Sequence, residues 1–293
     1  MKNPVERLTE RLVHGDPQKA ALVFSEKNRR YFTQFPATDG ALLVTAEEAY
    51  LLMDFRYEEA ARYKAQYCTV VGFDSLMATL GELIQKHGIK EIFLETEQLS
   101  VAQARRFEAA FQRFGAQAVL DDSLDSAIRD QRMIKSPEEV KKIEASQEIT
   151  DAAFQHILPY IKEGVTERDL ALEIEFFMRK QGAENVAFDL IVAAGKNGSQ
   201  CHAVPSDNTV KKGDFITMDT GALLDGYHSD MTRTVALGQV SDEQKAVYDT
   251  VLQAHLAVID QVKPGMVCSD VDKIARDIIE KDYPGTFGHG LGH

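Results

Sequence analysis

The chain is 293 residues long, with 33 Lys and Arg against 46 Asp and Glu for a net charge of −13, and is 44% hydrophobic and 27% charged. That length exceeds the usual single-domain size of about 100–200 residues, so two domains are expected in a water-soluble globular protein. An acidic balance opposes phosphate-backbone binding, and no apolar run approaches the about 18 residues that span a bilayer, which excludes nucleic acid and membrane as partners. The start, "MKNPVERLTERL", is charged throughout and lacks the apolar stretch of a signal peptide. The three cysteines, Cys68, Cys201 and Cys268, are scattered and odd in number, which suits a reducing cytoplasm better than a disulfide framework.

In chain order, the first part alternates short apolar runs, "AALVF", "GALLVT", "AYLLMDF" and "KEIFLE", with helical stretches such as "RYEEAARYKA" and "SVAQARRFEAAFQRF". Strands of that length punctuated by amphipathic helices predict a mixed α/β layer domain. After "AVLDDS" the pattern changes to one long helix, "IKSPEEVKKIEASQEITDAAFQHI", with Ser136 as N-cap, Pro137 at the first helical position and Glu139 completing a capping box. The domains are expected at residues 1–128 and 129–293.

The second part holds an internal repeat. "IKEGVTERDLALEI" from Ile161 aligns with "VKPGMVCSDVDKIA" from Val262, matching Lys162 with Lys263, Gly164 with Gly265 and Asp169 with Asp270. Each copy follows a helical stretch, turns at the glycine and starts a helix near the aspartate, which predicts pseudo-symmetric halves sharing a core. Between the copies, "SQCHAV" sets Cys201 beside His202. On a strand, adjacent side chains point to opposite faces, so a Cys201–His202 catalytic pair is disfavoured.

The stretch "DFITMDTGALLDGYHSDMTRTVALG" carries the turn signal Asp225-Gly226, which favours a two-residue type I′ hairpin. That turn pairs Asp219 with Thr232 and Asp230 with Gly221, so Asp219 and Asp230 share a face as diagonal neighbours about 7–8 Å apart at the backbone. Two converging carboxylates repel unless a cation lies between them, and a divalent ion or a pair of ions is the natural filling. Spacing alone also fits two solvated surface aspartates. The apolar "FITM" run favours the metal, because it buries the strand that carries Asp219. His228 reads as a surface residue, and Arg233 as structural as readily as functional.

The chain closes on "TFGHGLGH", where glycines at 288, 290 and 292 disfavour a helix. An extended strand there would place His289, Leu291 and His293 on one face, and imidazole beside carboxylate suits Mn, Zn, Co or Fe. The sequence has no GxSxG elbow, GxxxxGK[ST] loop, CxxC pair or HExxH helix.

Together, "FDLIVAAGKNGSQCHAVPSD", "MDTGALLDGYHSDMTRTVALG" and "FGHGLGH" resemble the pita-bread metallopeptidases, and the two-domain layout resembles their Xaa-Pro dipeptidase (prolidase) and aminopeptidase P branch. The resemblance spans the chain and implies a creatinase-like mixed α/β N-terminal domain before a pseudo-two-fold pita-bread catalytic domain. It implies two divalent metal ions, Mn first with Co or Zn as alternatives, held by Asp, Asp, His, Glu and Glu. By motif, Asp219, Asp230 and His293 are the metal ligands, while His202 and His289 are the substrate-facing catalytic histidines. The implied reaction is hydrolysis of the peptide bond preceding proline, in Xaa-Pro dipeptides or short peptides with Pro second, by a hydroxide bridging the ions. A cytoplasmic homodimer is implied as well. A third histidine and two glutamate ligands are expected beyond His293, so a chain truncated there is expected to have an incomplete, inactive centre. The alternatives are another hydrolase of the same fold and a non-catalytic peptide-binding module, which would have no need of convergent acidic ligands.

Overall fold

The apolar runs of the N-terminal part are too short for core helices and are bounded by turn residues. In the computed structural model, which describes residues 2–13 and 15–292, they pair into one sheet. Their unit comprises Met1–Ile143 with Asp225–Tyr227. Its elements are α1 (Pro4–Leu8), β1 (Lys19–Val23), α2 (Glu26–Thr33), β2 (Ala41–Thr45), β3 (Ala49–Met53), α3 (Phe55–Lys64), β4 (Thr69–Gly72), α4 (Leu76–His87), β5 (Glu91–Leu94), α5 (Val101–Arg113), β6 (Gln117–Val119) and α6 (Ser123–Met133). The strand order is β4-β3-β2-β1-β5-β6, with β2 antiparallel to its neighbours β1 and β3 and every other neighbouring pair parallel.

Both faces of this sheet are covered, which explains why the strands read as continuous apolar runs. Ala21, Val23, Leu42, Val44, Leu51 and Met53 face one core, shared with Phe32 and Ile128, and the alternate residues Leu22, Leu43, Leu52 and Ile92 face the other, shared with Leu80 and Phe111. The start of α2 has no side-chain cap of its own at Ser25. The fully buried Glu95 instead holds the segment leading into it, accepting from the N–H groups of Phe24 at 2.6 Å and Ser25 at 2.8 Å. Burial also pushes the Cys68 thiol up to about 12.

The second unit comprises Glu144–Leu224 with His228–His293. The long helix α7 (Pro137–Ile157) starts as expected: Glu139 N–H donates to Ser136 Oγ at 3.2 Å, and Ser136 N–H donates to Glu139 Oε2 at 2.8 Å. There follow α8 (Glu167–Lys180), β7 (Asn185–Val186), β8 (Ile191–Ala194), β9 (Phe215–Thr220), β10 (Ala222–Leu224), β11 (Tyr227–His228), β12 (Met231–Ala236), α9 (Asp242–Gln261) and α10 (Cys268–Asp282). These strands form two three-stranded sheets, β12-β9-β8 and β11-β10-β7. The core beneath them gathers Ile149, Ala153 and Ile157 of α7, Leu170, Ile174 and Met178 of α8, and Val192, Ile216 and Met218 of the sheet. Among the described residues no helix is long and apolar enough to cross a membrane.

Candidate metal centre

On β9 the burial alternates strictly. Ile216, Met218 and Thr220 point into the core, and Phe215, Thr217 and Asp219 lie on the opposite face, half-buried. Asp219 therefore sits on a strand whose back is fixed by core packing, while its own carboxylate stays accessible. The apolar "FITM" run buries the strand through alternate residues and does not enclose the aspartate itself.

Asp225 and Gly226 have φ of +48° and +80°, the left-handed pair that a type I′ turn requires, and the pairing keeps the register that this turn sets. Thr232 lies opposite Asp219 on β12, and Thr232 Oγ1 donates to Asp219 Oδ1 at 2.5 Å. Ser229 N–H donates to the Ala222 carbonyl at 3.0 Å, the register by which Asp230 falls opposite Gly221. The regular ladder is interrupted at that pair. A Cβ on Gly221 would lie 2.1 Å from the Ser229 carbonyl oxygen, which is why glycine follows Thr220.

The corner before Asp230 is held by a buried hydroxyl network absent from the sequence reading. Ser146 and Thr150 of α7 reach Ser229 Oγ at 3.1 and 2.7 Å, and Ser229 Oγ accepts from the Ala222 N–H at 2.9 Å. A serine and a threonine one turn apart on a helix were the available signal, and small polar residues in helices are too common to single them out.

The other candidates lie on irregular segments. His202 is exposed and occupies a turn closed by Ala203 N–H on the Gln200 carbonyl at 3.2 Å. Cys201 shares that turn, so the opposite-face argument, which assumed a strand, does not apply to this pair. His289 is exposed at a bend, and the segment around it forms no strand. It is tied to α10 instead: Arg276 donates to the carbonyls of Phe287 at 2.7 Å and His289 at 2.9 Å, and Leu291 N–H donates to Asp272 Oδ1 at 2.7 Å. The Arg276 guanidinium and that Leu291 N–H hold the Asp272 carboxyl below the usual carboxylate range. An extended run needs a neighbouring strand to satisfy its backbone, and none of the described strands pairs here. His293 lies outside the described residues. His228 is exposed, and its Nδ1 lies 3.1 Å from the Ala187 carbonyl.

Among the described residues, no three His, Cys, Asp or Glu side chains gather as a metal-holding group. The carboxylates of Asp219 and Asp230 are hard oxygen donors, and that donor chemistry fits a divalent cation.

In chain order, a six-stranded mixed α/β unit precedes a unit with two three-stranded sheets, the arrangement that the pita-bread metallopeptidase class implies. The profile of metallopeptidase family M24 matches residues 141–293, and that of the creatinase/prolidase N-terminal domain matches residues 5–134. The chain belongs to metallopeptidase family M24, whose members work with divalent metal ions. It is 34% identical over 277 residues to the Xaa-Pro dipeptidase of Pyrococcus horikoshii, covering 94% of this chain and 76% of that protein. The solved structure of an Xaa-Pro dipeptidase from Bacillus anthracis matches with a TM-score of 0.89 at 35% identity, over 99% of this chain and 80% of that one. That of an X-Pro aminopeptidase from Thermotoga maritima matches with a TM-score of 0.88 at 33% identity, over 100% and 82%.

Proposed function

We propose that this protein hydrolyses the peptide bond preceding proline in Xaa-Pro dipeptides and in short peptides with Pro at the second position. The observation that supports this reading is the hairpin register, which pairs Asp219 with Thr232, combined with family membership. In this reading Asp219, Asp230 and His293 hold two divalent ions, Mn in the first instance, with Co or Zn as substitutes. Bound ions would supply Lewis acidity, polarising the scissile carbonyl and making water nucleophilic near neutral pH. His202 and His289 contact the substrate, orient its backbone and donate hydrogen bonds to the oxygen that becomes negative as the carbonyl is attacked. Thr232 Oγ1, donating to Asp219 Oδ1, fixes the rotamer of that carboxylate. The bond attacked has no N–H because its nitrogen belongs to the proline ring, so recognition rests on ring shape and the free amino end. We place the protein in the cytoplasm as a homodimer, with residues 1–128 and 129–293 as its domains.

The test is a hydrolysis panel with the full-length protein, comparing Xaa-Pro with Xaa-Ala dipeptides and with longer Xaa-Pro peptides, before and after chelation. The expected result is Xaa-Pro selectivity that chelator removes and Mn restores. Asp219→Ala is expected to lower kcat/KM by about 10³-fold or more, several kcal/mol of lost transition-state stabilisation. Equal rates on Xaa-Pro and Xaa-Ala would sink the reading.

A further inference from the structure

Glu167 opens α8, is wholly buried, and has no part in the chemistry above. Its carboxylate accepts from Ala194 N–H at 2.8 Å, Asn197 Nδ2 at 3.0 Å, Ser206 Oγ at 2.7 Å and Asn208 Nδ2 at 2.9 Å. These donors lie at the two ends of one loop. The chain leaves β8 at Ala194 and comes back at Ser206 to the same side chain. The returning limb is also bonded to the helix start through backbone, Glu167 N–H to Asn208 at 3.0 Å and Arg168 N–H to Ser206 at 3.1 Å. The outgoing limb reaches that helix start through the Glu167 carboxylate.

His202 stands in the middle of this loop, exposed, beside the buried anchor Ala203. An exposed turn spanning a dozen residues has many conformations unless its ends are fixed. Burying a carboxylate costs several kcal/mol before its hydrogen bonds offset it, and an apolar closure would be as stable. What the charged acceptor adds is one geometry, because its lone pairs engage donors from both limbs at once.

We propose that Glu167 is a positioning residue for His202, closing the 194–206 loop into a single conformation and thereby setting where the imidazole meets the substrate. This rests on the functional reading above, in which His202 contacts the substrate. Glu167→Gln keeps the shape but replaces one acceptor oxygen with a donor, which cannot face the same N–H groups.

The experiment is a double-mutant cycle in the full-length protein, with the His202 imidazole NMR signal and the amide exchange of Ala203 and Ser206 as readouts independent of turnover. Glu167→Gln is expected to lower kcat/KM on an Xaa-Pro dipeptide by about 10–100-fold. In a His202→Ala background the same substitution is expected to change it by less than about twofold. The His202 signal should broaden or split, and the two amides should exchange faster while those of Val192 and Met218 do not. An equal loss in both backgrounds, or an unchanged signal and unchanged exchange, overturns the proposal. If Glu167→Gln does not fold, Asn197→Ala and Ser206→Ala each remove one donor and are read in the same measurements. A wild-type protein inert toward every Xaa-Pro peptide overturns the functional reading instead, and the His202 signal and the exchange rates then decide the loop closure.

Discussion

Gly164 and Gly265 stand at φ of +90° and +89°, and the next residue in each copy of the repeat folds back in the same way. Val165 N–H reaches the Lys162 carbonyl at 3.2 Å, and Met266 N–H reaches that of Lys263 at 3.3 Å. Two residues later each copy enters a helix, α8 or α10. Their surroundings diverge. In the first copy Glu167, Leu170, Ile174 and Met178 are all buried, and Thr166 caps the helix through its side chain. In the second, the matching positions are Cys268, Val271, Ala275 and Ile279, of which only Ala275 is buried, and the N-cap Val267 makes no side-chain bond. The turn is thus a local property written in a lysine, a glycine and an apolar neighbour. Among the described residues, α8 packs on β7 and β8, and α10 packs along α9.

That contrast can be broken in graded ways. The largest expected effect is in the core: Met178→Ala should cost about 2–5 kcal/mol, and Ile279→Ala at the matching position less than about half of that, read as shifts in the denaturant midpoint. Comparable losses would mean that the second helix is as deeply packed in solution as the first.

Next comes the buried carboxylate. Burial by itself would raise the Glu167 pKa, but hydrogen bonds from Ala194 N–H, Ser206, Asn208 and Asn197 outweigh it and hold it below the ordinary value. A group depressed in this way stabilises the fold above its unfolded value of about 4.3, and that contribution is lost as pH falls through the lower folded value. Glu167→Gln should therefore cost about 1–3 kcal/mol at neutral pH, with a shallower loss of stability below about pH 4 than the wild type shows. Cys268→Ser, at the matching position, should leave the midpoint unchanged at both pH values.

The smallest effect sharpens the comparison by removing the difference. Neither Gly164 nor Gly265 has an atom within 4 Å of where a Cβ would sit, so Gly→Ala at either acts through backbone strain alone. Each substitution should cost about 1–2 kcal/mol, nearly the same in both copies. A large inequality would show that the glycine conformation is imposed by packing and is not intrinsic to the turn.

The hairpin was legible for the same reason the turns were. Asp225-Gly226 selects a type I′ turn, that turn sets the pairing parity, and parity sets Asp219 opposite Thr232. The cap of α7 was equally readable, since Ser136 and Glu139 satisfy each other within four residues. Glu167 was not. A glutamate in the first turn of a helix reads as a surface residue favoured by the helix dipole, and its partners lie 27 to 41 residues away in sequence. Ser229 and the α7 hydroxyls escaped notice in the same way. The run around His289 misled, because alternating glycines permit an extended chain but do not supply the neighbouring strand that one needs.

By itself, then, the amino-acid sequence determined the features whose partners are near in the chain: the capping box, the two glycine turns, and the I′ hairpin with its pairing of Asp219 and Thr232. The tertiary structure decided that α8 is buried, that Glu95 holds the segment leading into α2 from a distance, and that one carboxylate joins both ends of the loop bearing His202. The division follows from hydrogen bonding and burial themselves. A backbone turn is satisfied within a few residues, whereas a buried charge or an apolar helix face is stable only where distant segments arrive to cover it.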